Sequence, residues 1–278
     1  MPAFLPIIIM LGMSLIPGLI AVKLKLISKS GSSGLVILST IFYFCGGFWF
    51  FVIFWIYFAI IVLAARYKHL QKIEMGIDED MQSRIWSDKV IFGLLPSAIF
   101  LVLHNVLMIG KMGILLPSLG IASISSLVTA CWDIVSYQIN GFFIKVAYNP
   151  TRFEKAVPGT PGSISLIGII IGALLAILLT FIGLKLFLVG FTFVPKLSGR
   201  PQESTYPVLV GAALFLGALI ANLVKNRAIF KDAKLIKNNL FRVTIGFLGG
   251  LISGFIVFLI LLQHWGAKLI YTNEYPIY

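Results

Sequence analysis

The chain has 278 residues, of which 59% are hydrophobic and only 12% charged, with a net charge of +12. A soluble domain of this size carries about a quarter charged residues, so this composition excludes an ordinary water-soluble fold and points to lipid as the main solvent. The positive charge suggests basic loops facing anionic headgroups rather than nucleic acid, because no nucleic-acid motif and no interleaving of basic and aromatic residues accompanies it.

Apolar runs long enough to cross a hydrocarbon core of ~30 Å recur along the whole chain. Backbone groups inside lipid must be satisfied within their own segment, so the spans are expected to be helices. In chain order they are Ala3 to Val22, Gly34 to Ala65, Val90 to Ile109, Gly113 to Gln138, Ser163 to Leu184, Thr205 to Val224 and Val243 to Gln263. The second run is too long for one span. Gly46-Gly47 divides it into a predicted tight hairpin of two short spans. The expectation is therefore an all-α polytopic bundle of about eight transmembrane helices, within a range of seven to nine, forming one domain over residues 1–278. No soluble domain and no internal repeat stands out. The first run lacks a basic leader and a small-residue cleavage site, so it reads as a retained span.

Charge orients the bundle. With the N-terminus outside, the inside loops are 23–33, 66–89, 139–162 and 225–242. All but five of the 22 basic residues fall there, leaving Lys111, Lys185, Lys196, Arg200 and Lys268 outside. That is the positive-inside bias, and it puts the 139–162 loop in the cytosol, where nucleotides are. Loop 66–89 mixes both signs and reads as a surface helix or solvated loop. Cys45 and Cys131 lie in apolar runs and show no metal-ligand spacing.

Asp133 is the only acidic residue within any of these runs. A carboxylate at the centre of a spanning helix costs about 3 kcal/mol on insertion scales, so it needs a partner or a function. On a helix, Ser126, Thr129, Asp133, Ser136 and Asn140 share one face, at spacings of three and four. For the hydroxyls, helix–helix hydrogen bonding is the simpler reading. For Asp133 the competing readings are a functional site and a buried ion pair.

Beyond this helix, Asn149-Pro150-Thr151-Arg152 precedes Val157-Pro158-Gly159-Thr160-Pro161-Gly162-Ser163. Glycines let backbone N–H groups approach an anion closely. Thr160 or Ser163 could cap the next helix, whose N-terminus favours negative charge. Arg152 offers a fork for phosphate oxygens and Lys155 a point charge. The set suits phosphoryl or nucleotidyl transfer, with Asp133 holding Mg²⁺ while the backbone amides and Arg152 neutralise phosphate.

The stretch from Asn149 to Gly168 resembles the signature loop of the integral-membrane phytyl-phosphate kinase family, the domain of unknown function 92 group that includes transmembrane protein 19. Asp133 matches the family's first Asp. Val157, Pro158, Gly159, Thr160, Gly162, Ser165, Leu166 and Gly168 match its loop, with one residue dropped before Gly159 and one added after Gly162. The resemblance implies a CTP-dependent kinase acting on a prenyl monophosphate, with Mg²⁺ and CTP, in a wider group containing dolichol kinase and phosphatidate cytidylyltransferase. It makes Asp133, Arg152 and Lys155 the catalytic candidates. Gly159, Thr160, Gly162, Ser163 and Ser165 become the phosphate-binding ones. Candidate substrate contacts are Thr129, Ser136, Gln138, Asn222 and Asn239. The chain has Ile134 where the pattern has Thr, lacks the family acids at Tyr137-Gln138 and Ala221-Asn222, and carries Arg84 and Asp88 in place of Gln and Asn. A CDP-lipid-forming cytidylyltransferase and a non-catalytic lipid or anion carrier are therefore the alternatives.

Among the remaining polar residues, His104-Asn105 reads as interhelical hydrogen bonding, Asn238-Asn239 as a helix cap or substrate contact, and the tail from His264 to Tyr278 as an interfacial belt.

Overall fold

A computed structural model describes residues 5–67, 84–109, 115–143, 147–149, 154–156, 165–190, 205–232, 234–235 and 238–265. Its elements, in chain order, are α1 (Leu5–Lys23), α2 (Lys29–Arg66), α3 (Arg84–Ile109), α4 (Leu115–Phe143), β1 (Ala147–Tyr148), β2 (Lys155–Ala156), α5 (Leu166–Gly190), α6 (Thr205–Lys231) and α7 (Asn239–Trp265). The helices α2 to α7 are each long and apolar enough to cross a membrane. The all-α membrane architecture expected from composition is thus the one observed.

The predicted break at Gly46-Gly47 is present. Gly47 has φ 76° and ψ −175°, outside the helical region and open only to glycine without strain. Phe42 and Phe54 have ring centroids 4.9 Å apart. On a straight helix they would stand about 18 Å apart. Tyr43 likewise meets Phe51 edge-on. The chain therefore folds back on itself, and α2 is two antiparallel arms, 29–46 and 48–66. Arg66 Nη2 donates to the Leu24 carbonyl at 2.6 Å, which returns the second arm to the level where α1 ends. Counting both arms gives eight apolar helical segments among the described residues.

The hairpin's tip and base are each tied to α3. At the tip, the Asn105 side-chain amide donates to the Cys45 carbonyl at 3.3 Å. At the base, Ser28 and Ser87 hydroxyls are 2.7 Å apart, and the Ser28 hydroxyl accepts from Gly31 N–H to cap α2. Asn105 thus acts as the interhelical donor its sequence context suggests.

Helix α4 is the hub. Its segment Leu116–Ser136 is 89% buried, against a third to a half for the other spans. It lies among α3, α5, α6, α7 and the second arm of α2. Close approach comes from small residues, as expected where lipid removes the hydrophobic drive between helices. A Cβ on Gly249 or Gly250 of α7 would collide with Thr129 or Ser126 of α4, and one on Gly172 of α5 with the Trp132 indole. Hydroxyls stitch the same contacts. Ser97 and Ser123 exchange bonds across α3 and α4 at 2.7 to 3.0 Å. Ser126 donates to the Gly246 carbonyl at 2.8 Å, and Ser125 meets Ser253 at 2.6 Å.

The cytoplasmic loops expected at 139–162 and 225–242 are shorter than the sequence suggests. Helix α4 runs on to Phe143 and α6 to Lys231. Within 139–162 a small antiparallel hairpin forms, with Ala147 opposite Ala156 and Tyr148 opposite Lys155. Asn149 N–H donates to the Glu154 carbonyl at 2.8 Å to close it. Alternating antiparallel helices gather the ends near residues 28, 66, 87, 133, 225 and 242 at one end of the bundle.

Candidate functional site at the Asp133 end of the bundle

The polar face of α4 divides in two. Toward the middle of the bundle, Ser126 and Thr129 are buried, and their hydroxyls donate to the Gly246 and Ser125 carbonyls. They serve helix packing, as the simpler reading of the hydroxyls expected. The same holds for Asn222 of α6. It is buried and its amide donates to the carbonyls of Ala218 at 2.9 Å and Thr129 at 3.4 Å. Thr129 and Asn222 thus brace the site from below. Ser136 is half-buried and turns back to the Asp133 carbonyl at 3.2 Å.

One turn nearer the bundle's end is Asp133, and its carboxylate is in direct contact with the Lys225 ammonium. The side chains keep 19% and 12% of their exposure, so the pair is shielded but reachable. Of the two readings open for Asp133, the ion pair is therefore part of the answer. Lys225 sits one turn after Asn222 on α6, so the Asn222–Thr129 bond sets the register that brings it to Asp133.

Two further cations arrive by the same logic. On α3, Ser97 pairs with Ser123, and Gly93 lies against Ala130 and Ile134. One more turn along this antiparallel register reaches Lys89 at the level of Asp133. On α7, Gly246 accepts from Ser126, and one turn back is Arg242, whose Nε is buried. The charges of Arg242 and Lys89 both act on the Lys225 ammonium. Lys89 and Arg242, from two further helices, thus lie near the Lys225 ammonium that contacts Asp133. Asp88 precedes Lys89 on α3 and is also half-buried.

Sequence reasoning placed Lys89, Lys225 and Arg242 in solvated inside loops. The available signal was spacing. Asn222 and Lys225 lie three apart on a helix that does not stop at Val224.

The other candidates are more dispersed. Ser165 is buried, and its hydroxyl accepts from Gly168 N–H at 2.9 Å, so it caps α5. The cap is therefore Ser165 and not Thr160 or Ser163, because α5 starts at Leu166. Lys155 is exposed on β2. Asn238 caps α7 by accepting from Phe241 N–H at 3.2 Å, leaving Asn239 half-buried in the first turn. Arg152, Gly159, Thr160, Gly162 and Ser163 lie outside the described residues, as does the side chain of Gln138.

The described residues do not fit a protein-held Mg²⁺. Magnesium takes oxygen ligands in a near-octahedral shell, with one or two carboxylates plus substrate phosphates. Here Asp133 is already engaged by Lys225, an ammonium that the charges of Lys89 and Arg242 also reach. Among the described residues no three His, Cys, Asp or Glu side chains come together. The arrangement suits an anion with several oxygens, which ammonium and guanidinium groups can hold by charge-assisted hydrogen bonds.

Comparison with known proteins agrees at the level of family. The family described as Integral membrane protein DUF92 matches residues 12–225, a stretch that contains Asp133 and ends on Lys225. No curated protein and no solved structure matches the chain.

Proposed function

This chain belongs to the DUF92 family of integral membrane proteins, and from that membership and the charged pair at Asp133 we propose that it is a lipid phosphotransferase. It transfers a phosphoryl group from CTP or another nucleotide to an isoprenoid-lipid monophosphate. The supporting observation, at one end of the bundle, is the contact of Asp133 with Lys225, whose ammonium also feels the charges of Lys89 and Arg242. The positive-inside bias would put this end in the cytosol, with the N-terminus outside.

In this reading the prenyl tail stays in lipid, beside exposed apolar faces such as Leu174, Ile177 and Phe181 of α5. The monophosphate enters at the level of Asp133. Its oxygen attacks the terminal phosphorus of the nucleotide, the bridging oxygen leaves with the nucleoside diphosphate, and the lipid becomes a diphosphate. Such transfer is governed by positioning and charge neutralisation, to which the Lys225 ammonium contributes. The Gly159 to Ser163 turn would cradle the nucleotide phosphates, assisted by Arg152.

A second reading is favoured by one observation. Asp133 already has its countercharge in Lys225, as in a lipid-anion binding protein that performs no chemistry. Purified protein incubated with labelled CTP and phytyl or geranylgeranyl monophosphate separates the possibilities. Labelled lipid diphosphate, lost in both Asp133→Ala and Lys225→Ala, is the expected result. Pyrophosphate release with a CDP-lipid would mean cytidylyl transfer. Lipid-induced thermal stabilisation without any product would mean binding alone. Equal label transfer by wild type and Asp133→Ala would remove this site from the reaction.

A further inference from the structure

We propose that the outward face of α6, at the basic end of the bundle, holds an anionic phospholipid, with its acyl chains along Leu216, Ile220 and Val224 and its phosphate at Arg227 and Lys231. This site stands apart from the Asp133–Lys225 pair and does not rest on the phosphotransferase reading.

Three observations converge. First, Ile220, Val224, Arg227 and Lys231 follow one another at intervals of four, three and four, so they form one stripe along the helix. Asn222 and Ile229, on the opposite side, are buried, and Lys225 turns inward to Asp133. The stripe therefore faces away from the bundle. Leu216, Ile220 and Val224 are exposed there, as are Arg227 and Lys231. Second, the stripe changes chemistry within one turn. Helix α6 continues past Val224 to Lys231. Arg227 is about 4.5 Å and Lys231 about 10.5 Å farther along the axis than Val224. Side chains lean toward the N-terminus of their helix, so both cations are carried back toward Val224. This is the boundary at which an acyl chain gives way to glycerophosphate, and the methylene stems of the two residues can cover its last apolar turn.

Third, the two cations keep their charge. Among the described residues no carboxylate pairs with Arg227 or Lys231. The neighbouring acid, Asp232, accepts from the Lys234 backbone N–H at 3.0 Å, in a turn where Lys234 is itself exposed. Three cations thus face one acid, and the patch is positive. A soluble anion would be served by charge alone. An apolar stripe running straight into cations selects a ligand that carries both, and an anionic phospholipid has them in the same order. Arg227 can fork two phosphate oxygens while Lys231 adds a point charge. A zwitterionic lipid brings its own ammonium into the patch and gains less.

The full chain in mild detergent is offered equal amounts of phosphatidylglycerol and phosphatidylcholine with identical acyl chains, and the retained lipid is read by native mass spectrometry. Wild type should retain phosphatidylglycerol in preference. One basic residue beside an anionic headgroup is worth roughly a fivefold preference, so Arg227→Gln/Lys231→Gln should lower it by about tenfold or more. Lys231→Arg should keep it. Lys23→Gln/Lys29→Gln removes the same charge at the same end of the bundle, between α1 and α2, and should also keep it. All four of these side chains are exposed, so both double variants should unfold at the wild-type temperature. Excess glycerol 3-phosphate should not displace the lipid, because it lacks the acyl chains. Equal retention of the two lipids by wild type would show an ordinary solvated basic face and overturn the proposal. Equal loss of preference in the two double variants would show a diffuse effect of net charge, with no site on α6. Displacement by glycerol 3-phosphate would make the patch a free-phosphate site and remove the lipid.

Discussion

Asp133 and Lys225 are individually expensive residues for a lipid-crossing helix, and each makes the other tolerable. Removing one partner leaves a shielded charge without its counterpart. Full burial makes that loss worth about 3–5 kcal/mol, and the remaining exposure here places the expected cost at the low end. Asp133→Asn and Lys225→Met should therefore each destabilise the bundle by about 3 kcal/mol, whereas the double variant should lie within about 1 kcal/mol of wild type. Unfolding of the four proteins in detergent, read as a double-mutant cycle, measures the coupling. Additive losses would show that the pair contributes nothing beyond its separate side chains. Residue identity alone marked Asp133 as unusual, because acids are so rare in hydrocarbon. It did not mark Lys225, because a lysine just past an apolar run looks like any loop cation.

At the scale of the element, local signals were legible where they depend on the backbone. Two consecutive glycines in an overlong apolar run predicted the α2 hairpin. The structure bends at Gly47, whose positive φ no other residue adopts cheaply. A Cβ there meets nothing within 4 Å, so Gly47→Ala tests backbone strain without a steric clash. It should cost about 1–3 kcal/mol in unfolding experiments. An unchanged stability would mean that the turn does not need a left-handed residue. Helix ends were less legible. Ser163, Thr160 and Ser165 are all reasonable caps by type, and only the observed start of α5 selects Ser165. The 147–156 hairpin was likewise hidden, since two-residue strands carry too few residues for an alternation to show.

At the scale of the whole molecule, the charge census and the helix packing make one joint statement. The described basic residues Arg66, Lys89, Lys225 and Arg242 share an end of the bundle, and that end should be cytosolic. The test begins from a variant lacking Cys45 and Cys131, neither of which is exposed. Single cysteines then replace Lys29, Lys155 or Lys231 at the basic end, or Phe48 at the hairpin tip. A membrane-impermeant maleimide applied to intact cells should label only the Phe48→Cys protein, and the other three should label after permeabilisation. Labelling of the lysine positions in intact cells would reverse the proposed orientation and remove the site from the nucleotide pool.

Composition and periodicity by themselves determined that this chain lives in a membrane as a helical bundle, roughly where its spans lie, and that α4 carries a polar face containing an acid. These are properties of single segments in a solvent, and each segment answers to lipid on its own. Only tertiary structure decided which polar residues brace helices and which form a site. Thr129 and Asn222 proved to be packing contacts, while Lys225 came from another helix to meet Asp133, with Lys89 and Arg242 near it from two more. The reason is geometric. A hydrogen-bond register between helices, set by small residues and hydroxyls many positions apart in the chain, decides which turns stand level, and that register is a property of pairs of segments and not of any one of them.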